Sequence, residues 1–167
     1  DYRRLNEKIV NSKPWRIPNL DESLASFANS KYFSTLDATS GFFQIPLTNN
    51  AKEKTAFISP VGKYQFKVLP MGLKISPAIF QMAMDKLLGN LQYENVICYI
   101  DDCIIYSQNF DKHLEDIQKV LNAFRSAKIK LKPTKCSFGQ TEIEFLGHIV
   151  SSEGIRIDKT KVEAVEK

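Results

Sequence analysis

Two adjacent carboxylates, Asp101 and Asp102, interrupt an otherwise apolar run over residues 96–106. The flanks are rich in β-branched residues, so the run predicts a tight β-hairpin with both aspartates at its tip. Ionised carboxylates side by side repel each other, and the apolar flanks hold the tip near a low-dielectric core, where repulsion costs more. The pattern therefore indicates a cation site. The alternative is an ordinary Asp-Asp turn that faces water, because Asp is a common turn residue.

A third carboxylate, Asp37, ends a predicted strand over residues 31–36 and precedes Asp101 by 64 positions. Adjacent strands would bring the three acids together. Carboxylates without a His or Cys partner suit hard cations, and Mg²⁺ is commonly shared between carboxylates and substrate phosphates. Two such ions about 3.5–4 Å apart stabilise both the attacking and the leaving oxygen of an in-line phosphoryl displacement. This is the chemistry of polymerases and nucleases.

The segment after Asp37 is a turn, Ala38-Thr39-Ser40-Gly41, followed by an apolar stretch from Phe42. Exposed backbone N–H groups in such a turn can bind phosphate oxygens. The alternative is a glycine-containing turn between strand and helix that binds nothing.

The remaining pattern predicts the elements that would support these acids. We expect helices over 18–28, with Asn19 or Asp21 as N-cap, over 76–88 and over 111–127. We expect hairpins over 54–69 and over 143–157, and an extended basic segment at 128–132. This order predicts a mostly antiparallel sheet backed by helices on one side, an α+β fold.

Two of these helices carry more detailed expectations. The helix over 76–88 is expected to begin with Ser76 as N-cap and Pro77 at the first helical position. Its predicted buried face is the set Ile79, Met82, Ala83 and Leu87. The helix over 111–127 has a predicted apolar face of Leu114, Ile117, Leu121 and Phe124, with His113 solvated on the outer side. His148, in the last hairpin, is expected to be packed rather than catalytic.

Composition limits the class of protein. A chain of 167 residues with 43% hydrophobic content has enough apolar material for one domain, and its apolar runs are shorter than a membrane span. The net charge of +4 fits a polyanionic partner and equally fits many other proteins. The chain starts without Met and stops in a charged, helix-like stretch, so we expect a piece of a longer polypeptide.

The three cysteines argue against a disulfide framework or a zinc site, because their number is odd and no CxxC motif occurs. With Asp101 and Asp102 as the turn, Cys98 faces Ile105 and Cys103 faces Ile100. We therefore expect buried thiols in a reducing compartment.

Five motifs, taken together in order and spacing, resemble those of reverse transcriptases. Residues 99–102 (YIDD) resemble the YxDD signature, and residues 33–42 (FSTLDATSGF) resemble the first catalytic-aspartate motif. Residues 69–77 (LPMGLKISP) look like the loop-and-helix motif between them. Residues 1–6 (DYRRLN) match a fingers segment, and residues 145–148 (FLGH) match the primer-contacting hairpin. The sequences of these motifs are most similar to those of reverse transcriptases from gypsy-class long-terminal-repeat retrotransposons.

The resemblance implies a right-hand polymerase architecture without its thumb. Residues 1–30 and 47–75 would form part of the fingers, and residues 31–46 and 76–157 the palm with the primer-contacting hairpin. Residues 158–167 would begin the connection to the thumb. The basic fingers strand that clamps the triphosphate, the thumb and the ribonuclease H region would lie outside this chain, so the fragment alone is expected to polymerise poorly or not at all.

The resemblance also implies site residues. Asp37, Asp101 and Asp102 would be the catalytic acids and, with the Ala38 carbonyl, would bind two Mg²⁺ ions, for which Mn²⁺ can substitute. The set implied to bind the dNTP is Ser40, Gly41, Phe42 and Met71. Phe42 would be the sugar gate, an aromatic ring that crowds a 2′-hydroxyl; its alternative role is core packing. Met71 stands where retroviral enzymes usually carry Gln. Its side chain can contact the nucleotide but cannot form the hydrogen bonds of an amide.

The implied partners are an RNA or DNA template, a DNA or RNA primer and dNTPs, with no membrane. Residues implied to border template or primer are Arg3, Gly72, Lys74, Pro77, Tyr99, Leu146 and Gly147. The expected setting is the cytoplasm, in virus-like particles of the element. Two alternatives remain open: a two-metal nuclease, which would share the acids but not Phe42 or the Leu146-Gly147 hairpin, and a decayed or domesticated domain that only binds nucleic acid or protein.

Overall fold

The computed structural model describes residues 1–10 and 15–157; the predicted connection at 158–167 lies outside the described residues. Its helices are α1 (Arg3–Lys8), α2 (Leu20–Ser26), α3 (Asn49–Lys54), α4 (Ser76–Leu88) and α5 (Phe110–Ser126). Its strands are β1 (Tyr32–Asp37), β2 (Phe57–Ser59), β3 (Gly62–Tyr64), β4 (Val96–Tyr99), β5 (Asp102–Ser107), β6 (Ser137–Gln140), β7 (Glu142–Phe145), β8 (His148–Ser151) and β9 (Gly154–Ile157). Short 3-10 helices lie at Gly41–Gln44, Gly89–Leu91 and Pro133–Lys135.

The central sheet has four antiparallel strands in the order β4-β5-β1-β6. Side chains alternate between the two faces of a strand, and both faces of this sheet are covered. Cys103 and Ile105 of β5 face α4 and α5. Ile104 and Tyr106 face α2 and the three-stranded sheet β7-β8-β9. Burial on both faces explains why the run around Asp101 is apolar throughout.

The α+β fold class is confirmed. The expectation of helices on one side holds for α4 and α5, whereas α2 packs on the opposite face with Leu24 and the adjacent Phe27. Asn19 is the N-cap of α2, and its side chain accepts a hydrogen bond from the Asp21 backbone N–H at 2.9 Å. No helix among residues 1–10 and 15–157 is long and apolar enough to cross a membrane.

The hairpin of β4 and β5 is present, but its turn is Ile100-Asp101 rather than Asp101-Asp102. Asp102 is the first residue of β5, where it pairs with Tyr99 on one side and with Asp37 of β1 on the other. Pairing with two neighbouring strands at once fixes this register, which local turn preferences do not reveal.

The cysteine expectation was therefore wrong by two residues in register. Cys98 lies opposite Cys103, not opposite Ile105. Both residues are buried, as predicted, and all three cysteines of the chain are free thiols.

The predicted buried face of α4 was wrong. That of α5 was wrong at Leu114 only, since Phe124 is buried and Ile117 and Leu121 pack against the same core. In α4 the buried residues include Phe80, Met84 and Leu88. The N-cap of α4 is Ile75, and the Ser76 hydroxyl instead donates to the Pro70 carbonyl at 2.8 Å.

In α5, Leu114 is 51% exposed, whereas His113 and Asp116 are fully enclosed. His113 contacts the Ser34 hydroxyl at 2.7 Å through Nε2 and the Ser107 hydroxyl at 3.0 Å through Nδ1. Ser107 in turn donates to Asp116 at 2.9 Å. These partners make burial of a polar helix face possible, so His113 is a core residue and not a solvated one.

Several other segments differ in detail from expectation. The hairpin predicted over 54–69 is shorter in the structure, where it spans β2 and β3, and residue 54 instead ends α3. Residues 143–150 form parts of two strands that turn at Leu146-Gly147, not one strand. The basic segment 128–132 contributes a single bridge, between Leu131 and Ala38, and β6 was not predicted.

Candidate functional site

The ladder between β1 and β5 ends with Asp37 opposite Asp102. Residues that are directly paired across antiparallel strands project to the same face. Asp101 occupies the turn that precedes Asp102. The structure thus brings the three predicted acids to one end of the central sheet.

The acids influence one another electrostatically. Burial, followed by the charges of Asp102 and Asp37, raises the pKa of Asp101. Burial, followed by the charges of Asp37 and Glu144, raises the pKa of Asp102. The cation of Lys135 opposes both shifts, and its Nζ lies 3.3 Å from Asp37 Oδ2. Both shifts mean that the protein disfavours the charged form of these carboxyl groups.

The residues at this end fit a divalent cation by the chemistry of their donors. All three side chains offer oxygen ligands, which hard cations prefer, and their mutual repulsion would be relieved by a positive ion. As they stand, no three or more His, Cys, Asp or Glu side chains among the described residues are arranged to hold a metal ion. Lys135 is the cation that lies against Asp37 in this arrangement.

The Ala38 carbonyl is oriented toward the acids by its backbone pairing. The Thr39 N–H donates to the Lys130 carbonyl at 2.9 Å, and the Lys132 N–H donates to the Asp37 carbonyl at 2.9 Å. These bonds flank the antiparallel bridge between Ala38 and Leu131. In a bridge with this pattern, the N–H and C=O of Ala38 point away from the segment that contains Leu131. The Ala38 carbonyl therefore points to the β5 side, where Asp101 and Asp102 lie.

The turn after β1 is shaped by close packing on α4. Ser40 adopts a left-handed conformation (φ 49°), and Gly41 opens the 3-10 helix. A Cβ atom at Gly41 would lie 2.9 Å from the ring of Phe80, so only glycine fits there without a shift. The ring of Phe42 packs edge-on against Phe80 at 5.5 Å between centroids. Phe42 is thus partly a packing residue, the alternative role expected for it.

The Reverse transcriptase (RNA-dependent DNA polymerase) family model matches residues 1–150. The chain belongs to the reverse transcriptase family. This family generally uses divalent metal ions, in agreement with the oxygen donors of the three acids.

Relatives of the same family come from transposons. The chain is 41% identical over its full length to the retrovirus-related Pol polyprotein from transposon opus of Drosophila melanogaster. It is 37% identical over its full length to that from transposon gypsy of the same organism. The chain spans 17% and 16% of these two polyproteins, respectively.

Solved structures of reverse transcriptases share the fold. The foamy viral protease-reverse transcriptase in complex with an RNA/DNA hybrid has a TM-score of 0.87 and 26% identity, with all of this chain and 22% of that chain covered. A form of that enzyme in complex with double-stranded DNA has a TM-score of 0.89 and 26% identity, with all of this chain and 29% of that chain covered.

The segment 69–77, which resembles a reverse transcriptase motif, forms a loop held by α1 and then the start of α4. Asn6 donates to the Gly72 carbonyl at 2.8 Å and accepts from the Lys74 N–H at 2.9 Å. Met71 is 57% exposed in this loop, and Pro77 lies in the first turn of α4. The structure therefore presents Met71 to solvent, while Asn6 holds the backbone at Gly72 and Lys74.

The other residues that the resemblance assigns to template or primer lie on α1, at the end of β4 and in the turn between β7 and β8. Arg3, exposed on α1, pairs with Asp1. Tyr99 ends β4, and its ring contacts that of Phe145 at 6.3 Å between centroids. Leu146 and Gly147 both have positive φ, 48° and 83°, in the two-residue turn between β7 and β8. Such a turn requires φ above zero at both positions.

Sequence reasoning missed two residues that contact the site. Lys135 was one of 23 basic residues with nothing to distinguish it. Gln81, in α4, is fully buried and accepts a hydrogen bond from the Ile100 N–H at 2.8 Å. A buried Gln in an amphipathic helix is unusual enough to flag, but the predicted face of α4 did not include it.

Proposed function

We propose that this chain is the catalytic core of an RNA-directed DNA polymerase, which transfers nucleotides from dNTPs to a primer 3′-hydroxyl under template direction. The observation that carries the proposal is the pairing of Asp37 with Asp102 beside Asp101, in a chain of the reverse transcriptase family. In this proposal residues 31–46 and 76–157 form the palm, and residues 1–30 and 47–75 form part of the fingers.

Asp37, Asp101 and Asp102, with the Ala38 carbonyl, would hold two Mg²⁺ ions or Mn²⁺ in their place. Such ions would lower the pKa of the primer hydroxyl and neutralise charge on the leaving pyrophosphate. The raised pKa values of Asp101 and Asp102 support a cation here, because a positive charge would favour their ionised forms.

The substrate-binding part of the proposal has two regions. Backbone N–H groups of Ser40 and Gly41 would bind triphosphate oxygens, with Phe42 as the sugar gate and Met71 in contact with the nucleotide. Gly72 and Lys74 would border the template, Leu146 and Gly147 would border the primer, and Arg3, Pro77 and Tyr99 would contact one of the two strands. The similar foamy viral enzyme has been solved in complex with an RNA/DNA hybrid and with double-stranded DNA, which supports nucleic-acid partners for this chain.

Because the chain spans 17% of the opus polyprotein, we propose that it works with further segments, including a thumb and a ribonuclease H region. The transposon relatives support an intracellular setting, in the particles of such an element.

Primer extension on an RNA template tests the proposal. The chain is assayed alone and as a chimaera, in which it replaces the matching segment of the opus polyprotein. Both assays contain dNTPs and Mg²⁺ or Mn²⁺. The matched variants are Asp101→Asn, which removes a proposed metal ligand, and Glu115→Gln, which removes an equal charge from the exposed side of α5. We expect extension by the chimaera and by Glu115→Gln, and loss of extension with Asp101→Asn.

Equal extension by the unchanged chimaera and by Asp101→Asn would contradict the assignment of the acids. Cleavage of the template-primer without extension would favour the nuclease alternative.

A further inference from the structure

The side chain of Gln81 is fully buried in α4 and uses both ends of its amide on the hairpin that carries Asp101. Oε1 accepts from the Ile100 N–H at 2.8 Å, and Nε2 donates to the Cys98 carbonyl at 2.8 Å. Nε2 also donates to Asp85 Oδ1 at 2.8 Å. One side chain therefore satisfies two backbone groups immediately before Asp101.

No neighbouring strand pairs with these two backbone groups, because Cys98 lies in β4, the edge strand of the central sheet, and Ile100 lies in the turn that follows it. An edge strand presents a row of N–H and C=O groups without partners. The Gln81 amide takes the place of a peptide from a missing neighbouring strand, since it offers one acceptor and a donor at the right length. Glutamate would lack the donor, and methionine would lack both.

The contact falls at the strained point of the hairpin. Ile100 adopts the left-handed conformation, with φ 54°, which is a genuine outlier for a β-branched residue. A residue held in such a conformation persists only where its surroundings fix it. The direction in which the next residue, Asp101, leaves the turn follows from the conformation of Ile100.

A second contact determines which way the Gln81 amide faces. Asp85 offers only acceptors when ionised, so its Oδ1 requires the NH₂ end of Gln81 and leaves Oε1 for the Ile100 N–H. The other oxygen of Asp85 accepts from Trp15 Nε1 at 2.6 Å. Trp15 and Asp85 thus lie on a continuous chain of hydrogen bonds that ends at the turn.

We propose that Gln81 is a positioning residue for Asp101. Its amide holds Ile100 in the left-handed conformation that directs Asp101 toward Asp37 and Asp102, and Asp85 keeps that amide in the required orientation. The inference rests on the proposed function in one respect, that Asp101 is a metal ligand.

The test compares Gln81→Met with the unchanged chain by two measurements. In Gln81→Met, hydrogen exchange of the Ile100 amide, followed by NMR, should accelerate by about tenfold, the factor expected for one lost hydrogen bond. Mn²⁺ affinity, followed by paramagnetic line broadening, should weaken by about 10–100-fold, as is usual when a group that orients a metal ligand is removed. Asp85→Asn, at a partly exposed position, should change both quantities in the same direction by a smaller factor.

Leu88→Ala is the matched control, because Leu88 is a buried residue of the same helix that lies nearly two turns beyond Gln81. It should lower the melting temperature and leave Mn²⁺ affinity within about twofold, since it does not touch a metal ligand or its support. Equal weakening of Mn²⁺ binding by Leu88→Ala and Gln81→Met would overturn the proposal, as would unchanged Mn²⁺ affinity in Gln81→Met and Asp85→Asn.

Asp101→Asn separates this inference from the proposed function. If Asp101→Asn leaves Mn²⁺ binding unchanged, the metal site itself is wrong and the positioning role falls with it. If Asp101→Asn abolishes binding while Gln81→Met and Asp85→Asn do not alter it, the proposed function stands and the inference fails.

Discussion

Removal of one charge from the acidic end of the sheet should stabilise the chain when no metal is present. Asp37 and Asp102 are directly paired across β1 and β5, and like charges in that arrangement are destabilising by about 0.2–1 kcal/mol. Asp102→Asn removes this repulsion and keeps the shape of the side chain. The expected rise in melting temperature is up to about 4 °C for a domain of this size.

The raised pKa of Asp102 also predicts that Asp102→Asn stabilises the chain at neutral pH. A carboxyl group whose pKa is raised on folding opposes folding once pH exceeds its folded value, because the folded state then disfavours a charge that the unfolded state carries freely. The pKa of Asp102 is raised, first by burial and then by Asp37. At pH 7 the neutral amide of Asp102→Asn should therefore be the more stable side chain.

Mn²⁺ should reverse the order of stability. An ion at ten times its dissociation constant stabilises the state that binds it by about 1.4 kcal/mol, which corresponds to about 3–6 °C. The unchanged chain should gain this amount in a thermal melt with Mn²⁺, relative to a melt with chelator, and Asp102→Asn should gain little.

Glu115→Gln changes the net charge equally on the exposed side of α5 and should stay within about 0.5 kcal/mol of the unchanged chain in both conditions. The reasoning is refuted if Asp102→Asn is less stable than the unchanged chain in chelator, or if both gain equally from Mn²⁺.

Two further predictions concern buried polar groups, and a third concerns the proposed sugar gate. Burial lowers the pKa of His113, so stability should fall as pH drops below about 6.5; urea melts should show this fall in the unchanged chain and in His148→Gln, but not in His113→Gln. Ser34→Ala should cost about 2–6 kcal/mol in urea melts, because the hydroxyl bonds both His113 Nε2 and the Gly139 N–H. Phe42→Val should admit ribonucleotides in primer extension by the opus chimaera, and an unchanged ratio of kcat/KM for dNTP and rNTP would count against the gate.

Local sequence predicted the hairpin of β4 and β5 but not its turn. The apolar flanks are sufficient to indicate two buried strands, and Asp-Asp is an acceptable turn pair. The turn at Ile100-Asp101 places an isoleucine at positive φ, against its local preference. That choice depends on β1, which pairs Asp37 with Asp102, and on Gln81, which pairs with Ile100. Both partners are distant in sequence, so no local pattern contains them.

The error in α5 has a different cause. Apolar periodicity favours a face through Leu114 and Leu121, and it treats every polar residue as solvated. The structure instead encloses His113 and Asp116. The Asn95 side chain donates to Asp116 at 2.6 Å, and hydroxyl groups of the central sheet satisfy His113. A pattern that counts only apolar residues cannot find a buried polar cluster whose partners come from other elements.

The three acids are supported in two different ways, which determines how each responds to substitution. Asp37 and Asp102 sit on backbone ladders, and their relative position is set by strand register. Replacement of either side chain leaves that register intact, because ladder bonds involve only the backbone. Asp101 lies in a two-residue turn whose preceding residue is strained. Its position therefore depends on contacts outside the hairpin, and a change in α4 that preserves every acid can still separate Asp101 from the other two.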